Sequence, residues 1–222
     1  MSRSTLDKSM EKKISQLREN YTRGGIEDSN LPGDPVVMLR RWVDEAISCE
    51  ADEPNAMSLA TVSPDGKPNV RVVLLKGIEE STIHFYTNYG SQKGKELTLN
   101  PHAAVAFWWP ELERQVRIRG PVEKLGREES DMYFQTRPRE SQIGAWVSEQ
   151  SSAIESREAL KQKVEDVSAR FEGKEVPIPE FWGGYSIGIE EIEFWQGRPG
   201  RLHDRILYEI KDGDWGKKRL QP

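Results

Sequence analysis

What most restricts the fold of this chain is a succession of short β-branched and alternating runs, tied together by tight turn signals. Met57 to Val62 is followed by Pro64-Asp65-Gly66-Lys67 and then by Asn69 to Lys76, a hairpin pattern. Ile83 to Thr87 is a third run, and Ala103 to Trp109 and Arg114 to Lys124 are two more, joined at Pro110-Glu111. In the last of these, Val116 and Ile118 alternate with Gln115, Arg117 and Arg119, giving one apolar face and one polar, cationic face. Tyr185 to Trp195 and Arg205 to Ile210 read as further strands, and Asp212-Gly213 turns the chain into a final one at Trp215 to Leu220.

Helical patterns fall between these runs and do not alternate with them. Met10, Ile14 and Leu17 recur at helical spacing, so a first helix is predicted from Met10 to the stop near Tyr21-Thr22-Arg23-Gly24-Gly25. Asp34-Pro35 opens a second, through Val36, Leu39, Trp42, Val43 and Ala46. Ser91 can cap a third through Leu97, stopped by Asn100-Pro101. Segments at Glu128 to Gln135, Ser141 to Trp146 and Ser156 to Phe171 complete the set, and Val176-Pro177-Ile178-Pro179 is extended linker. Hairpin-linked strands with inserted helices predict a mainly β chain with peripheral helices (α+β) built on an antiparallel barrel. Residues 1–16 read as a mobile N-terminal segment and 17–222 as a single domain.

Composition narrows the function. A net charge of −5 argues against a general nucleic-acid binder, whose affinity comes from a basic surface. Cys49 is the single cysteine, and His84, His102 and His203 are scattered without His-Glu-x-x-His spacing, so neither a disulfide nor a metal site is expected. No apolar run approaches a membrane span and no signal peptide is evident, which points to a cytoplasmic protein. Rossmann glycine fingerprints, P-loops and Gly-x-Ser-x-Gly are absent, so any ligand is gripped by side chains.

Four stretches could provide that grip. Glu193 to Arg205 packs arginines, His203 and a Phe-Trp pair around two glycines and a proline. Arginine is an always-charged fork that fits phosphate or carboxylate and stacks on rings, so a planar anion would use both properties; a solvated turn with surface ion pairs is the alternative. Arg71 to Lys76 is a strand bracketed by cations, and five residues of strand span about 16 Å, the length of a fused ring plus a phosphate. Arg71 and Lys76 differ in parity, so serving one site requires a twist, a bulge, or Lys76 lying beyond the strand end. Tyr86-Thr87-Asn88 and Ser91-Gln92-Lys93 offer hydroxyls, a cation and helix-start amides, an anion cradle or plain capping. Tyr133, Arg137 and Ser141 are spaced by four, so a helix or near-helix gathers them into a second phosphate site or an ordinary helix surface.

Taken with Arg137-Pro138-Arg139, Ser141 to Trp146, Gln150-Ser151-Ser152, Phe181 to Tyr185 and Arg201-Leu202-His203-Asp204-Arg205, these stretches resemble the pyridoxamine/pyridoxine 5'-phosphate oxidase family, over about Leu17 to Pro222. The resemblance implies an FMN-binding split barrel, antiparallel, with FMN at the interface of a homodimer. It also implies oxidation of pyridoxamine or pyridoxine 5'-phosphate to pyridoxal 5'-phosphate, oxygen being reduced to hydrogen peroxide. Carried over by position, the FMN contacts are Arg71, Val72, Val73, Leu74, Leu75, Lys76, Tyr86, Thr87, Gln92, Lys93, Gln115, Gln150, Ser151, Trp195 and Arg205. Substrate contacts are Arg18, Glu19, Asn20, Tyr21, Lys76, Tyr133, Arg137, Ser141, Arg201, Leu202 and His203, with Arg201 and His203 in the catalytic role and no role for Arg198. A flavin reductase on the same barrel, or a non-enzymatic carrier of FMN or pyridoxal phosphate, is the competing expectation.

Overall fold

The computed structural model describes residue 10, residues 13–17 and residues 19–222. The N-terminal segment therefore lies largely outside the described residues, as does Arg18. Residues 13–16 are helical and the helix ends there, short of the predicted stop at Tyr21 to Gly25. Residues 19–26 run instead as an irregular strap, because their backbone donors are taken by side chains distant in sequence, Glu113 and Asp204.

Ten strands make one antiparallel, curled sheet: β1 (Ala56–Val62), β2 (Pro68–Leu74), β3 (Gly77–Glu79), β4 (Thr82–Asn88), β5 (His102–Trp109), β6 (Arg114–Lys124), β7 (Trp182–Gly188), β8 (Glu191–Gln196), β9 (Asp204–Lys211) and β10 (Asp214–Leu220). The main path runs β10-β9-β8-β6-β5-β1-β2, while β7 pairs with β6 and β4, and β4 with β3. β6 belongs to both halves: Arg114 to Arg119 pair with β8, and Val122 to Lys124 pair with β7. This splits the predicted single strand Tyr185 to Trp195 in two at Ile189-Glu190. The cause is local to the bend of β6. A Cβ at Gly120 would overlap the carbonyl oxygen of Gly188, so glycine alone permits the approach, and Pro121 has no N–H to continue the ladder.

Among the described residues beyond that first short helix, five helices surround the sheet: α1 (Pro35–Ser48), α2 (Gln92–Leu99), α3 (Arg127–Thr136), α4 (Arg139–Val147) and α5 (Arg157–Arg170). Asp34 caps α1 by accepting from the Val36 N–H at 2.8 Å, with Pro35 preset at the first helical position. Its stripe of Leu39, Trp42 and Ala46 is buried in the main core with Phe107, Ile118 and Phe194 of the sheet, Trp42 meeting Phe194 edge-on at 5.2 Å. Burial on that scale contributes about 1.5–3 kcal/mol for each large side chain. A second core of Phe134, Ile143, Val147, Phe171, Val176 and Trp182 lies under α3, α4 and α5.

β2 ends at Leu74, so Lys76 lies beyond the strand and its parity with Arg71 no longer matters. The three-residue β3 was not foreseen. On the outer face of the sheet the register lines up Trp108, Gln115, Trp195 and Arg205 as direct cross-strand neighbours over β5, β6, β8 and β9.

Candidate functional site

Two clefts collect most of the candidate residues. The larger, of about 740 Å³, lies among β2, β4, the start of α2, the α3–α4 junction and the loop at 150–151. It is lined by Arg71, Val72, Val73, Leu74, Lys76, Tyr86, Thr87, Gln92, Lys93, Tyr133, Arg137, Ser141, Gln150 and Ser151, together with Asn69, Val70 and Pro138.

Arg71 reaches it from β2. Its guanidinium donates to the Thr61 hydroxyl at 2.5 Å, to the Leu59 carbonyl at 3.3 Å and to Glu96 at 3.4 Å. Glu96, on the inward face of α2 and 4% exposed, also accepts from Asn69 at 2.6 Å, Gln92 at 3.1 Å and Thr61. Burial opposes its charge, but the donors from Thr61, Asn69, Gln92 and Arg71 outweigh burial and hold the carboxyl below its ordinary range. Lys93, one turn earlier on α2, has only neutral oxygens around its ammonium: Thr87 at 3.1 Å, Gln150 at 3.2 Å and Ser91 at 3.4 Å. Burial first, and Arg71 second, pull its pKa down to about 8.

Tyr133, Arg137 and Ser141 do not share one helix. α3 stops at Thr136, Arg137 is extended (φ −75°, ψ 145°), and α4 begins at Arg139. Pro138 imposes the break, since a residue before proline is pushed out of the helical region. The turn nevertheless aims all three at the cleft. The Arg137 guanidinium stands 4.6 Å over the Trp182 ring and 5.6 Å from that of Phe134, and its Nη1 is buried with no hydrogen-bond partner among the described residues. Burial pulls the Arg137 pKa down accordingly. Beside it Tyr86 and Tyr133 stack with centroids 3.9 Å apart, and burial, then Glu129, push the Tyr86 phenol up to about 12, so it stays a neutral donor.

The smaller cleft, of about 590 Å³, is lined by Glu19, Asn20, Tyr21, Trp195, Arg201 and His203, with Leu17, Arg198 and Gly200. Tyr21 meets Trp195 edge-on at 5.6 Å and His203 at 5.7 Å; Trp195 and His203 are 4.6 Å apart, and Trp108 closes the cluster at 5.9 Å from Trp195. The Arg198 backbone N–H donates to His203 Nδ1 at 3.1 Å. That bond leaves the neutral ring with its proton on Nε2. Burial, then Arg201, hold the imidazole below its ordinary pKa, so neutral is the prevailing form near pH 7. Arg201 sits in the left-handed region at φ 64°, at the end of the turn Pro199–Arg201.

Four candidates line neither cleft. Leu75 turns into the core, its backbone tied to Asn55. Leu202 points outward, 73% exposed. Gln115 and Arg205 flank Trp195 in the outer-face row, with Arg205 held by Glu193 at 2.8 Å. Sequence reasoning missed Trp108, Asn69 and Glu96, and it gave Arg198 no part although its side chain donates to the Gly24 carbonyl at 3.0 Å. For Trp108 the signal was present: alternation along β5 puts it on the face opposite Phe107 and Trp109. No metal ligand set was expected, yet Glu79, His84 and Glu129 bring ligand atoms within 4.8 Å of one another. The His84 nitrogens are engaged there by Thr82 at 2.9 Å and Glu129 at 3.5 Å.

Residues 43–171 match the pyridoxamine 5'-phosphate oxidase family, and residues 182–222 match the pyridoxine 5'-phosphate oxidase C-terminal dimerisation region. The chain belongs to the pyridoxine/pyridoxamine 5'-phosphate oxidase family. It is accordingly an oxidoreductase. The pyridoxine/pyridoxamine 5'-phosphate oxidase of Nostoc punctiforme is 50% identical over 214 residues, covering 96% of this chain and 100% of that protein. That of Rubrobacter xylanophilus is 51% identical over 209 residues, with 94% and 96% covered. Among solved structures, PhzG from Burkholderia lata in complex with tetrahydrophenazine-1-carboxylic acid superposes with a TM-score of 0.86 at 31% identity, covering 92% of this chain and 100% of that one. An FMN binding protein from Nostoc punctiforme, related to pyridoxamine 5'-phosphate oxidase, shares the fold at a TM-score of 0.69 and 16% identity, with 86% and 100% covered. The split barrel expected from the sequence is thus the fold of the family. The larger cleft is built mainly from the first matched region, and Trp195, Arg201 and His203 of the smaller one from the second. No described helix is long and apolar enough to cross a membrane.

Proposed function

We propose that this protein oxidises pyridoxamine or pyridoxine 5'-phosphate to pyridoxal 5'-phosphate, with FMN as its resident flavin and oxygen as the final acceptor, giving hydrogen peroxide. The observation that carries the reading is the larger cleft. It holds four cations, Arg71, Lys76, Lys93 and Arg137, of which Arg137 has a buried nitrogen without a partner among the described residues and Lys93 donates only to neutral oxygens. Buried cations in that condition fit phosphate, which supplies charge and several acceptors at once. Flat ligands fit as well, because Tyr133 and Tyr86, stacked on each other with Trp182 buried behind them, present aromatic surface beside those cations.

In this reading Arg71, Thr87, Gln92, Lys93, Gln150 and Ser151 hold FMN, and Lys76, Tyr133, Arg137 and Ser141 hold the substrate phosphate. FMN, when bound, supplies a two-electron acceptor for the hydride that leaves the substrate carbon next to the pyridine ring. Gripping the phosphate at a distance from that carbon converts binding energy into alignment. His203, neutral with its proton on Nε2, donates a hydrogen bond to the pyridine's phenolic oxygen, and Arg201 orients the amine or hydroxyl. Glu19, Asn20 and Tyr21 cover the site.

The two clefts share no lining residue, and Gln115, Trp195 and Arg205 lie on the outer face. A homodimer in which one protomer's larger cleft faces its partner's smaller one satisfies both assignments, and the match to a dimerisation region supports it.

The test is to add pyridoxamine 5'-phosphate to the purified protein with FMN in air. Peroxide and the aldehyde's absorbance are expected, and under nitrogen the flavin is expected to bleach. Flavin that stays oxidised anaerobically favours the carrier. Bleaching by a reduced nicotinamide and not by the amine favours the reductase.

A further inference from the structure

Glu113 belongs to none of the residue sets above, yet its bonding is unusual. It ends the one-turn 3-10 segment Pro110–Leu112 between β5 and β6 with φ 53° and ψ 42°, a left-handed backbone that glycine or asparagine adopts more readily than glutamate. Its residue is 8% exposed, and its carbonyl accepts from the Gly197 N–H at 2.8 Å and from Gln196 Nε2 at 3.2 Å. That fixes the backbone between β6 and the end of β8. The carboxylate then accepts two main-chain donors from ninety-one and ninety residues earlier, Thr22 N–H at 2.8 Å and Arg23 N–H at 2.9 Å, both on Oε2. These are the residues directly after Tyr21. On the other side of the same strap, a Cβ on Gly197 would stand 2.6 Å from Tyr21 Cγ, so the missing side chain is the seat of the Tyr21 ring.

We propose that Glu113 is a positioning residue: its carboxylate latches the strap of residues 19–26 to the sheet, and with the seat left at Gly197 it fixes Tyr21 against Trp195 and His203. The proposal deepens the assignment of the smaller cleft as a substrate half-site and rests on it for its catalytic consequence. Glu50, Glu53 and Glu80 share the left-handed backbone, so what sets Glu113 apart is its side chain, which satisfies two consecutive strap amides. The strap's further ties are the Arg23 guanidinium to the Glu111 carbonyl at 2.5 Å, the Gly24 carbonyl to Arg198, and Ile26, whose N–H donates to Asp204 at 3.0 Å and whose carbonyl accepts from Arg219 at 2.7 Å; all lie after Thr22, so the Thr22 N–H to Glu113 is the hydrogen bond nearest Tyr21.

The experiment uses the full chain as purified with FMN and follows tryptic cleavage after the exposed Arg23, the thermal midpoint, and KM and kcat for pyridoxamine 5'-phosphate. Glu113→Gly relaxes the backbone, so the midpoint is expected to stay or rise while cleavage after Arg23 accelerates roughly tenfold, following the local opening equilibrium. Glu113→Gln keeps an oxygen able to accept both amides and is expected to remain near wild type. Gly197→Ala, with Glu113 intact, unseats Tyr21 and is expected to accelerate cleavage as well. Both opening variants raise KM more than they lower kcat. Cleavage after Arg23 as slow in Glu113→Gly as in wild type overturns the latch. Accelerated cleavage with unchanged KM keeps the latch and removes the strap from substrate binding.

Discussion

Arg137 combines charge, burial and a missing partner in one side chain. Its guanidinium is stacked on Trp182, which any flat or long apolar side chain could match, but its Nη1 has no acceptor among the described residues. A half-buried cation with one desolvated, unpaired nitrogen costs stability, and replacing it with an apolar side chain of similar length removes that cost. Arg137→Met is therefore expected to raise the unfolding free energy of the ligand-free protein by about 1 kcal/mol. The same change removes a charge-assisted grip on phosphate, so affinity for inorganic phosphate should fall roughly tenfold to a hundredfold. Thermal unfolding with and without phosphate reads both at once: phosphate protects the wild type and hardly protects the variant. A less stable variant that phosphate protects equally well would remove Arg137 from the anion site. Residues such as Arg137 are legible in a sequence because charge and spacing advertise them. Glu96 and Glu113 are not, because a carboxylate that serves donors from β1, β2 or a strap ninety residues away looks like any surface glutamate until the chain is folded.

At the scale of elements, α2 shows how a short helix divides its labour. Ser91 caps it by accepting from the Gly94 N–H at 3.3 Å; Lys93 then faces the larger cleft, and Glu96, one turn on, anchors Arg71. The pKa of Lys93, held down to about 8 by burial and by Arg71, makes a pH prediction. With the folded value below the ordinary 10.5, the unfolded chain binds more protons between those two limits. Stability of the ligand-free protein should thus rise from about pH 8 to about 10.5, relative to Lys93→Met, which lacks the titration. Parallel curves for the two proteins in urea unfolding would show that Lys93 does not carry the shift. Elements with a buried face were readable in advance: α1 by its Leu39, Trp42 and Ala46 stripe, and β6 by strict alternation. The break between β7 and β8 carried a faint local signal, Glu190-Glu191 with alternation shifting from Ile187 and Ile189 to Ile192 and Phe194, but its cause lies at Gly120-Pro121 on another strand. Pro138 did carry a local signal against a continuous helix from Tyr133 to Ser141, and the regular spacing of four obscured it. The early end of the first helix was hidden for a related reason, since its expected last turn exchanges helical hydrogen bonds for Glu113 and Asp204.

For the whole molecule, the decisive observation is that the residues proposed to hold FMN are distributed over places a single chain keeps apart. Arg71, Thr87, Lys93 and Ser151 line the larger cleft, whereas Gln115, Trp195 and Arg205 form a row across the outer face of β6, β8 and β9. That outer face also carries Val70 and Val72 of the edge strand β2, 70% and 64% exposed, opposite the small side chains of Ala60 and Ser58. Exposed valines beside a shelf of small residues give a surface that a second copy can cover, and the final four strands lie in the matched dimerisation region. If the flavin is held from both sides, its release and the separation of subunits are one linked equilibrium. Dilution should then free FMN over the same concentration range in which sedimentation shows dimers parting, and added FMN should move both transitions to lower protein concentration. Recovery of flavin fluorescence on dilution gives the first curve and sedimentation velocity the second. Monomers that retain one FMN each would assign the whole pocket to a single chain, and Gln115, Trp195 and Arg205 would then have to be explained as supports of the outer face alone.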